Sequence, residues 1–279
     1  MMFFKVINIF KLIRIGNIIF AILTVLLSSF ILSETQGLLN CIVIIALSMA
    51  FGNMFNDLLD INIDKIAHPK RPLATGVITR TETKLYLIIL FILLLIVSTN
   101  LNYIALKCFY MLIFPLLICY SLLIKKIPLL GNVAVALLLS LVFIFTELIL
   151  QETWHQLLVP ACLAFGLSII RELIKDIDDY IGDKKNKINT LPVCFGINYS
   201  NYFAVFLIIF FSILCLLPYY LQFYGFNYFI ALIFLVEIPL YIVVFLLLNK
   251  PKETTYTKLT DLTKYMTFNG LIVLYIANL

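Results

Sequence analysis

Apolar residues run along this chain in blocks of about 20, the length at which a helix crosses the ~30 Å hydrocarbon core of a bilayer. Nine such blocks are placed at residues 15–33, 37–58, 84–100, 103–123, 129–149, 156–175, 199–219, 227–248 and 261–279. The polar positions between them set an orientation, because Lys and Arg concentrate in cytoplasmic loops. With the N-terminus in the cytoplasm, Lys5, Lys11 and Arg14 face inward, then Lys65, Lys70, Arg71, Arg80 and Lys84, then Lys125 and Lys126. Arg171, Lys175, Lys184, Lys185 and Lys187 follow, and finally Lys250, Lys252, Lys258 and Lys264. Of the 20 cations only Lys107 falls on the other side. The pattern predicts an all-α polytopic membrane protein with nine spans, its N-terminus cytoplasmic and its C-terminus outside. The first block is too long for a signal-peptide core and no small-residue cleavage site follows it, so it is expected to be a retained helix.

Composition agrees with the pattern. Hydrophobic residues make up 63% of the 279 and charged ones 13%, against about 45–50% and 25% in soluble domains. No polar linker divides the blocks, so a single membrane domain over 1–279 is expected. The six cysteines show no CxxC spacing and five lie in expected spans, which argues against a disulfide framework or a thiolate metal site. The net charge of +5 follows from topology and anionic lipid headgroups, not from a nucleic-acid partner.

The chemistry sits where two of the blocks end. In "NMFNDLLDINIDKIAHPKRPLATG", Asn53, Asp57, Asp60 and Asp64 fall within about 60° on a helix wheel and form one acidic stripe. In "RELIKDIDDYIGDKKNKINTLPV", Glu172, Asp176, Asp179 and Asp183 stand 119 residues later with the same D-x-x-D-x-x-x-D spacing. Each stripe ends an even-numbered span and both face the cytoplasm. They mark an internal repeat, spans 1–4 and 5–8 with span 9 added. Eight of the 15 carboxylates lie in these two segments. Like charges on one stripe repel, so a cation is expected among them. Oxygen donors suit Mg²⁺, which keeps waters and is usually held by one or two carboxylates plus substrate phosphates. A diphosphate bridging the stripes is the expected phosphate. Lys70, Arg71, Arg171, Lys175, Lys125 and Lys126 stand nearby in sequence to take its remaining oxygens.

These residues resemble a known family. "NDLLDINID" is similar to the first aspartate-rich motif of the UbiA-type intramembrane prenyltransferases, and "KDIDDYIGD" to the second. "RPLATG", "LIRIGN" and "YSLLIKKIPLLGN" extend the resemblance through most of the chain. It implies nine helices around a central cavity and a Mg²⁺-dependent transfer of a prenyl group from a polyisoprenyl diphosphate to a second substrate. It makes Asp57, Asp60, Asp64, Asp176, Asp179 and Asp183 the catalytic, metal-holding set. Asn17, Asn53, Asn56, Tyr120 and Arg14 join the cations above as substrate-binding candidates. The second motif most resembles the branch whose acceptor is a prenylated glycerol phosphate. The first would equally suit an aromatic acceptor of the quinone-forming type. A phosphate-bearing acceptor wants a cationic anchor apart from the metal, and Lys125, Lys126 and Arg14 are the candidates. Cation transport is a reading from another class, since intramembrane acids and repeats also mark transporters. Here, however, the stripes lie at cytoplasmic ends with basic flanks, as a diphosphate requires.

The segments 65–83 and 184–198 are expected to form loops capping the site, rich in Pro and Gly. Glu237 lies mid-span without an evident partner, Glu147 is expected near water, and His68 and His155 read as loop residues.

Overall fold

The computed structural model describes residues 2–186, 188–249, 251 and 253–279. Lys187, Lys250 and Lys252, counted above among the cytoplasmic cations, lie outside the described residues. Every regular element described is helical: α1 (Met2–Leu12), α2 (Ile15–Leu32), α3 (Leu38–Leu59), α4 (Ile61–Ala67), α5 (Arg80–Ser98), α6 (Tyr103–Cys108), α7 (Phe114–Leu122), α8 (Leu130–Gln151), α9 (Leu158–Asp178), α10 (Tyr180–Lys185), α11 (Leu191–Phe195), α12 (Ile197–Tyr220), α13 (Phe226–Leu232), α14 (Ile238–Leu248) and α15 (Glu253–Ala277). A π-helical turn joins α6 to α7 over Phe109–Ile113, and another joins α13 to α14 over Ile233–Glu237.

Among the described residues, seven helices are long and apolar enough to cross a membrane: 15–32, 38–59, 80–98, 103–122, 130–151, 197–220 and 226–248. The chain is a multi-pass membrane protein. The blocks expected at 156–175 and 261–279 largely overlap α9 and α15, which are long helices carrying more charge. α9 ends through Arg171, Glu172, Lys175, Asp176 and Asp178, and α15 contains Lys258, Asp261 and Lys264.

Two loops are shorter than expected, for local reasons. α5 begins at Arg80 instead of residue 84 because Thr79 and Glu82 form a reciprocal capping box, satisfying two free N–H groups. The segment 184–198 contains α11, and α12 begins after Gly196, whose φ of 88° suits glycine alone at low cost. α1 was not expected at all. Its exposed Phe4, Val6, Ile7 and Phe10 alternate with Lys5 and Lys11 around the buried Asn8 and Leu12.

The chain divides into two compact units, Met1–Lys125 with Leu141–Gln156, and Lys126–Ser140 with Leu157–Leu279. In the first, α3 packs on α2, α5 and α7. Phe51, Phe91 and Phe114 meet at centroid distances of 5.4–6.4 Å, and Phe109 stacks on Phe145 at 5.9 Å. Asn102 caps α6 through Ala105 N–H and donates to the Leu148 carbonyl at 2.7 Å. Only 22% of the spanning windows of 80–98 and 103–122 is buried, so most of their surface faces outward. Glu147, expected near water, is fully buried and accepts from Thr153 Oγ1 at 2.8 Å and Gln156 N at 3.0 Å.

In the second unit, α9, α12, α13, α14 and α15 share one apolar core around Ile170, Ile174, Ile208, Leu240 and Met266. Glu237 is buried there, and it does have a partner: Ser212 donates to its Oε2, and Ser212 also meets the Tyr241 hydroxyl at 3.3 Å. Asn269 of α15 donates to the Leu235 carbonyl at 3.0 Å, inside the turn that would otherwise leave a carbonyl unpaired.

α9 and α12 approach closely at Gly166, where a Cβ would lie 2.2 Å from the Phe211 ring. Small residues allow such contact where lipid gives no hydrophobic drive. Gly166→Ala should therefore cost about 1–3 kcal/mol in reversible denaturation, whereas Gly182→Ala, with nothing within 4 Å, should be near neutral. Equal stability of the two variants would show that the α9–α12 contact is not tight.

Candidate active site

The first acidic stripe is not one continuous helix. α3 stops at Leu59 and α4 starts at Ile61, with Asp60 at the joint (φ −90°, ψ 6°). The i→i−4 bonding nevertheless carries across it, from Asp60 N–H to the Asn56 carbonyl at 3.0 Å and from Asp64 N–H to the Asp60 carbonyl at 2.8 Å. The three aspartates thus stay on one side. The second stripe bends at the matching residue: α9 ends at Asp178, Asp179 is the joint (φ −79°, ψ 0°), and Asp183 N–H bonds the Asp179 carbonyl at 2.9 Å.

In the first unit each aspartate meets a cation of the chain. Arg14 reaches Asp57 at 2.8 Å, and Arg71 reaches Asp57 at 3.3 Å and both oxygens of Asp64 at 2.8 Å. Lys125 lies 2.6 Å from Asp60 and 3.0 Å from the Asn56 side chain. Lys125 and Arg14, both expected as anchors apart from the metal, are bonded here to carboxylates of the stripe. Asp57 and Asp64 are only 3% and 2% exposed. Burial pushes the Asp64 carboxyl above the ordinary range, while Arg71 pulls it back down. Asn53 donates to the Ile13 carbonyl at 2.8 Å, where the chain turns between α1 and α2. Arg14 sits in that turn with φ 55°. A pocket of about 380 Å³ opens beside it, lined by Phe10, Lys11, Arg14 and the exposed Asn17 among others. Tyr120 is half-buried on α7. Lys70 is exposed and makes no ion pair among the described residues.

In the second unit Arg171 pairs with Glu172 at 2.6 Å and Lys175 with Asp179 at 3.0 Å. Asp176 is held by an amide, Asn132 Nδ2 at 2.8 Å from its Oδ2. Burial, with the Asp179 charge, pushes the Asp183 carboxyl up to about 6. Lys126 is exposed. Asn132 was missed by the sequence reading, although "LLGN" had been noticed; only the fold shows which carboxylate it meets.

The pattern of the UbiA prenyltransferase family matches residues 17–269, nearly the whole chain and both stripes. The chain belongs to this family. Among its relatives, digeranylgeranylglyceryl phosphate synthase of Saccharolobus solfataricus is 32% identical over 269 residues, covering 92% of this chain and 94% of that one. A solved structure described as digeranylgeranylglyceryl phosphate synthase superposes with TM-score 0.75 at 30% identity, covering 98% of each chain. A UbiA homologue from Archaeoglobus fulgidus, solved with DMAPP and Mg²⁺, shares the fold with TM-score 0.63 at 19% identity, over 96% of this chain and 99% of that one.

For a UbiA protein the donor chemistry of both stripes fits a hard divalent cation, since every candidate ligand is a carboxylate or amide oxygen. Among the described residues no three carboxylate, imidazole or thiol groups form a ready cage. Mg²⁺ does not need one, because it is held by one or two carboxylates together with waters and phosphates.

The ion pairs themselves carry a testable consequence. Removing Arg71 leaves Asp64 buried without its cation, and breaking such a pair costs about 3–5 kcal/mol. Arg71→Gln should therefore lower stability in chelator-treated protein by about 3 kcal/mol or more, and added Mg²⁺ should restore more stability to this variant than it adds to the parent chain. A variant as stable as the parent in chelator would remove Arg71 from any electrostatic role at Asp64.

Proposed function

We propose that this UbiA-family chain transfers a geranylgeranyl group from its diphosphate to the free hydroxyl of a prenylated glycerol phosphate, with Mg²⁺, in the synthesis of membrane ether lipid. The observation that carries this is the pair of repeated carboxylate stripes, each interleaved with arginine and lysine, on a chain alike over more than nine-tenths of its length to digeranylgeranylglyceryl phosphate synthases. The family match and that likeness favour this acceptor over an aromatic one and over cation transport.

Asp57, Asp60, Asp64, Asp176, Asp179 and Asp183 would hold the metal. When bound, Mg²⁺ neutralises the charge that grows on the leaving diphosphate. Arg71, Lys70, Arg171, Lys175 and Lys125 take diphosphate oxygens by charge-assisted hydrogen bonds, strongest as the allylic C–O bond breaks and the electron pair departs with the phosphate. Asn56 orients Lys125, to which it is already bonded. The acceptor hydroxyl then forms the new ether bond to the allylic carbon, and diphosphate and a proton are released. The acceptor phosphate is assigned to the pocket beside Arg14 and Asn17, where Lys11 adds a second cation. Lys126 and Tyr120 complete the substrate-binding set, and the loop that follows each stripe (65–83 and 184–198, Lys187 lying outside the described residues) would exclude water from the diphosphate.

The same reading includes the finer topology. Nine spans, with α9 and α15 added to the seven apolar helices, place both stripes at the cytoplasmic surface and the N-terminus inside. A repeat of spans 1–4 and 5–8 is supported by the matching joints at Asp60 and Asp179. It is supported again by two π-helical turns 124 residues apart, each followed two residues on by proline, Pro115 and Pro239.

The purified protein with Mg²⁺, geranylgeranyl diphosphate and geranylgeranylglyceryl phosphate should yield the digeranylgeranyl ether, identified by mass. Asp60→Asn and Asp179→Asn should each cut turnover by about 10²–10³, by analogy with the loss of a single transition-state donor, in protein that remains folded. Arg14→Ala should raise the acceptor KM more than the donor KM. Turnover of an aromatic acid but not of the glycerol phosphate would overturn the acceptor assignment. Full activity in both aspartate variants would overturn the two-stripe reading.

A further inference from the structure

Among the described residues, four of the six stripe aspartates are ion-paired with a lysine or arginine of the chain: Asp57, Asp60, Asp64 and Asp179. Asp176 and Asp183 are in no such pair, and Asp176 has a neutral partner instead. Its Oδ2 is held at 2.8 Å by Asn132, a neutral amide that is 7% exposed in the first turn of α8. The distinction matters to an incoming cation. A carboxylate already bound to arginine has had its charge compensated, and a metal must displace the guanidinium before it can bind. An amide fixes the carboxylate's position without compensating its charge, and it leaves the second oxygen open. Glu172 and Asp183 lie close enough for their charges to act on Asp176 as well, so the local field there draws a divalent cation. Lys175, whose charge also acts on Asp176, is bonded to Asp179.

We propose that Asn132 is a positioning residue for the metal: by donating to Asp176 Oδ2 it fixes the carboxylate and leaves Oδ1 to a divalent cation. The second stripe therefore accepts its metal before any diphosphate is bound. The first stripe is neutralised by Arg14, Arg71 and Lys125, and it accepts a metal only once substrate phosphates draw those side chains onto their own oxygens. The inference rests on the reading of Asp176 as a metal ligand given above. It adds a residue outside the aspartate motifs and an order of loading.

The test uses the full-length protein in detergent and Mn²⁺ as the probe, with free Mn²⁺ followed by electron paramagnetic resonance. Without diphosphate the parent protein should bind Mn²⁺, and Asp57→Asn should bind it equally well. Asn132→Ala should bind it about 10–100-fold more weakly, as for the loss of a residue that orients a ligand. The exchange variant, Asn132→Asp with Asp176→Asn, restores the hydrogen bond with donor and acceptor reversed. It should recover the thermal stability of the parent but not its Mn²⁺ affinity, a separation that a purely structural role for Asn132 would not produce. Parent-like affinity in Asn132→Ala, recovery of both properties in the exchange variant, or Mn²⁺ binding by the parent only when pyrophosphate is present would each overturn the inference and leave the two-stripe reading intact. No Mn²⁺ binding by the parent under either condition would overturn the two-stripe reading itself.

Discussion

An ionised carboxylate at the end of an apolar helix has little water to share, and leaving it buried and unpaired costs several kcal/mol. That constraint shapes the first unit beyond the residues that bear charge. Asp64 is nearly inaccessible, and both of its oxygens are satisfied by one guanidinium from seven residues further along. To bring Arg71 back, the chain leaves α4 at His68 and turns, with Arg71 N–H on the His68 carbonyl at 3.0 Å and Thr75 N–H on the Arg71 carbonyl at 3.0 Å. Pro72 and Leu73 are buried directly behind it. The loop after the stripe is thus a return path for a counter-charge, and Arg14 brings α1 under the same constraint from the other side. When a diphosphate supplies competing oxygens, the pairs that hold this arrangement are the ones that change.

Much of this was legible in the sequence because a membrane simplifies the code. Blocks of apolar residues and one-sided cations gave helices at nearly the observed positions, and the repeated aspartate spacing located both carboxylate sets. What stayed hidden was tertiary or depended on backbone detail. α1 is too short and too charged to register as a span, and its amphipathic face has meaning only beside α2 and α3. The joints at Asp60 and Asp179 were invisible because the hydrogen bonding, and with it the 100° periodicity, continues through them. Glu147 was misplaced near water because its partners, Thr153 and the Gln156 N–H, lie in a loop that folds back over it. Lys125 looked like a loop anchor and proved to be a counter-ion. Asn132 differs from any other asparagine near a helix start only in the residue it faces.

The two units solve the same problem with different chemistry. In the first, charge meets charge at every aspartate, and the set is neutral by itself. In the second, among the described residues, Asp179 alone of the three aspartates meets a cation, and Asp176 meets an amide. A duplicated motif can keep its spacing while its two copies take separate duties, and the divergence here lies in the partners of the carboxylates, not in the carboxylates.

The π-helical turns at Phe109–Ile113 and Ile233–Glu237 have a consequence for how the chain tolerates change in length. Such a turn holds one residue more than the α-helix would need, with the segments on either side still in phase. Removing one residue within it returns the helix to regular winding without rotating either flank. The same deletion anywhere else in a spanning helix turns every later side chain by about 100°. In an architecture that otherwise forbids insertions and deletions inside the bilayer, these two turns act as slack, and a proline follows each two residues on, where the regular hydrogen-bond ladder is already broken.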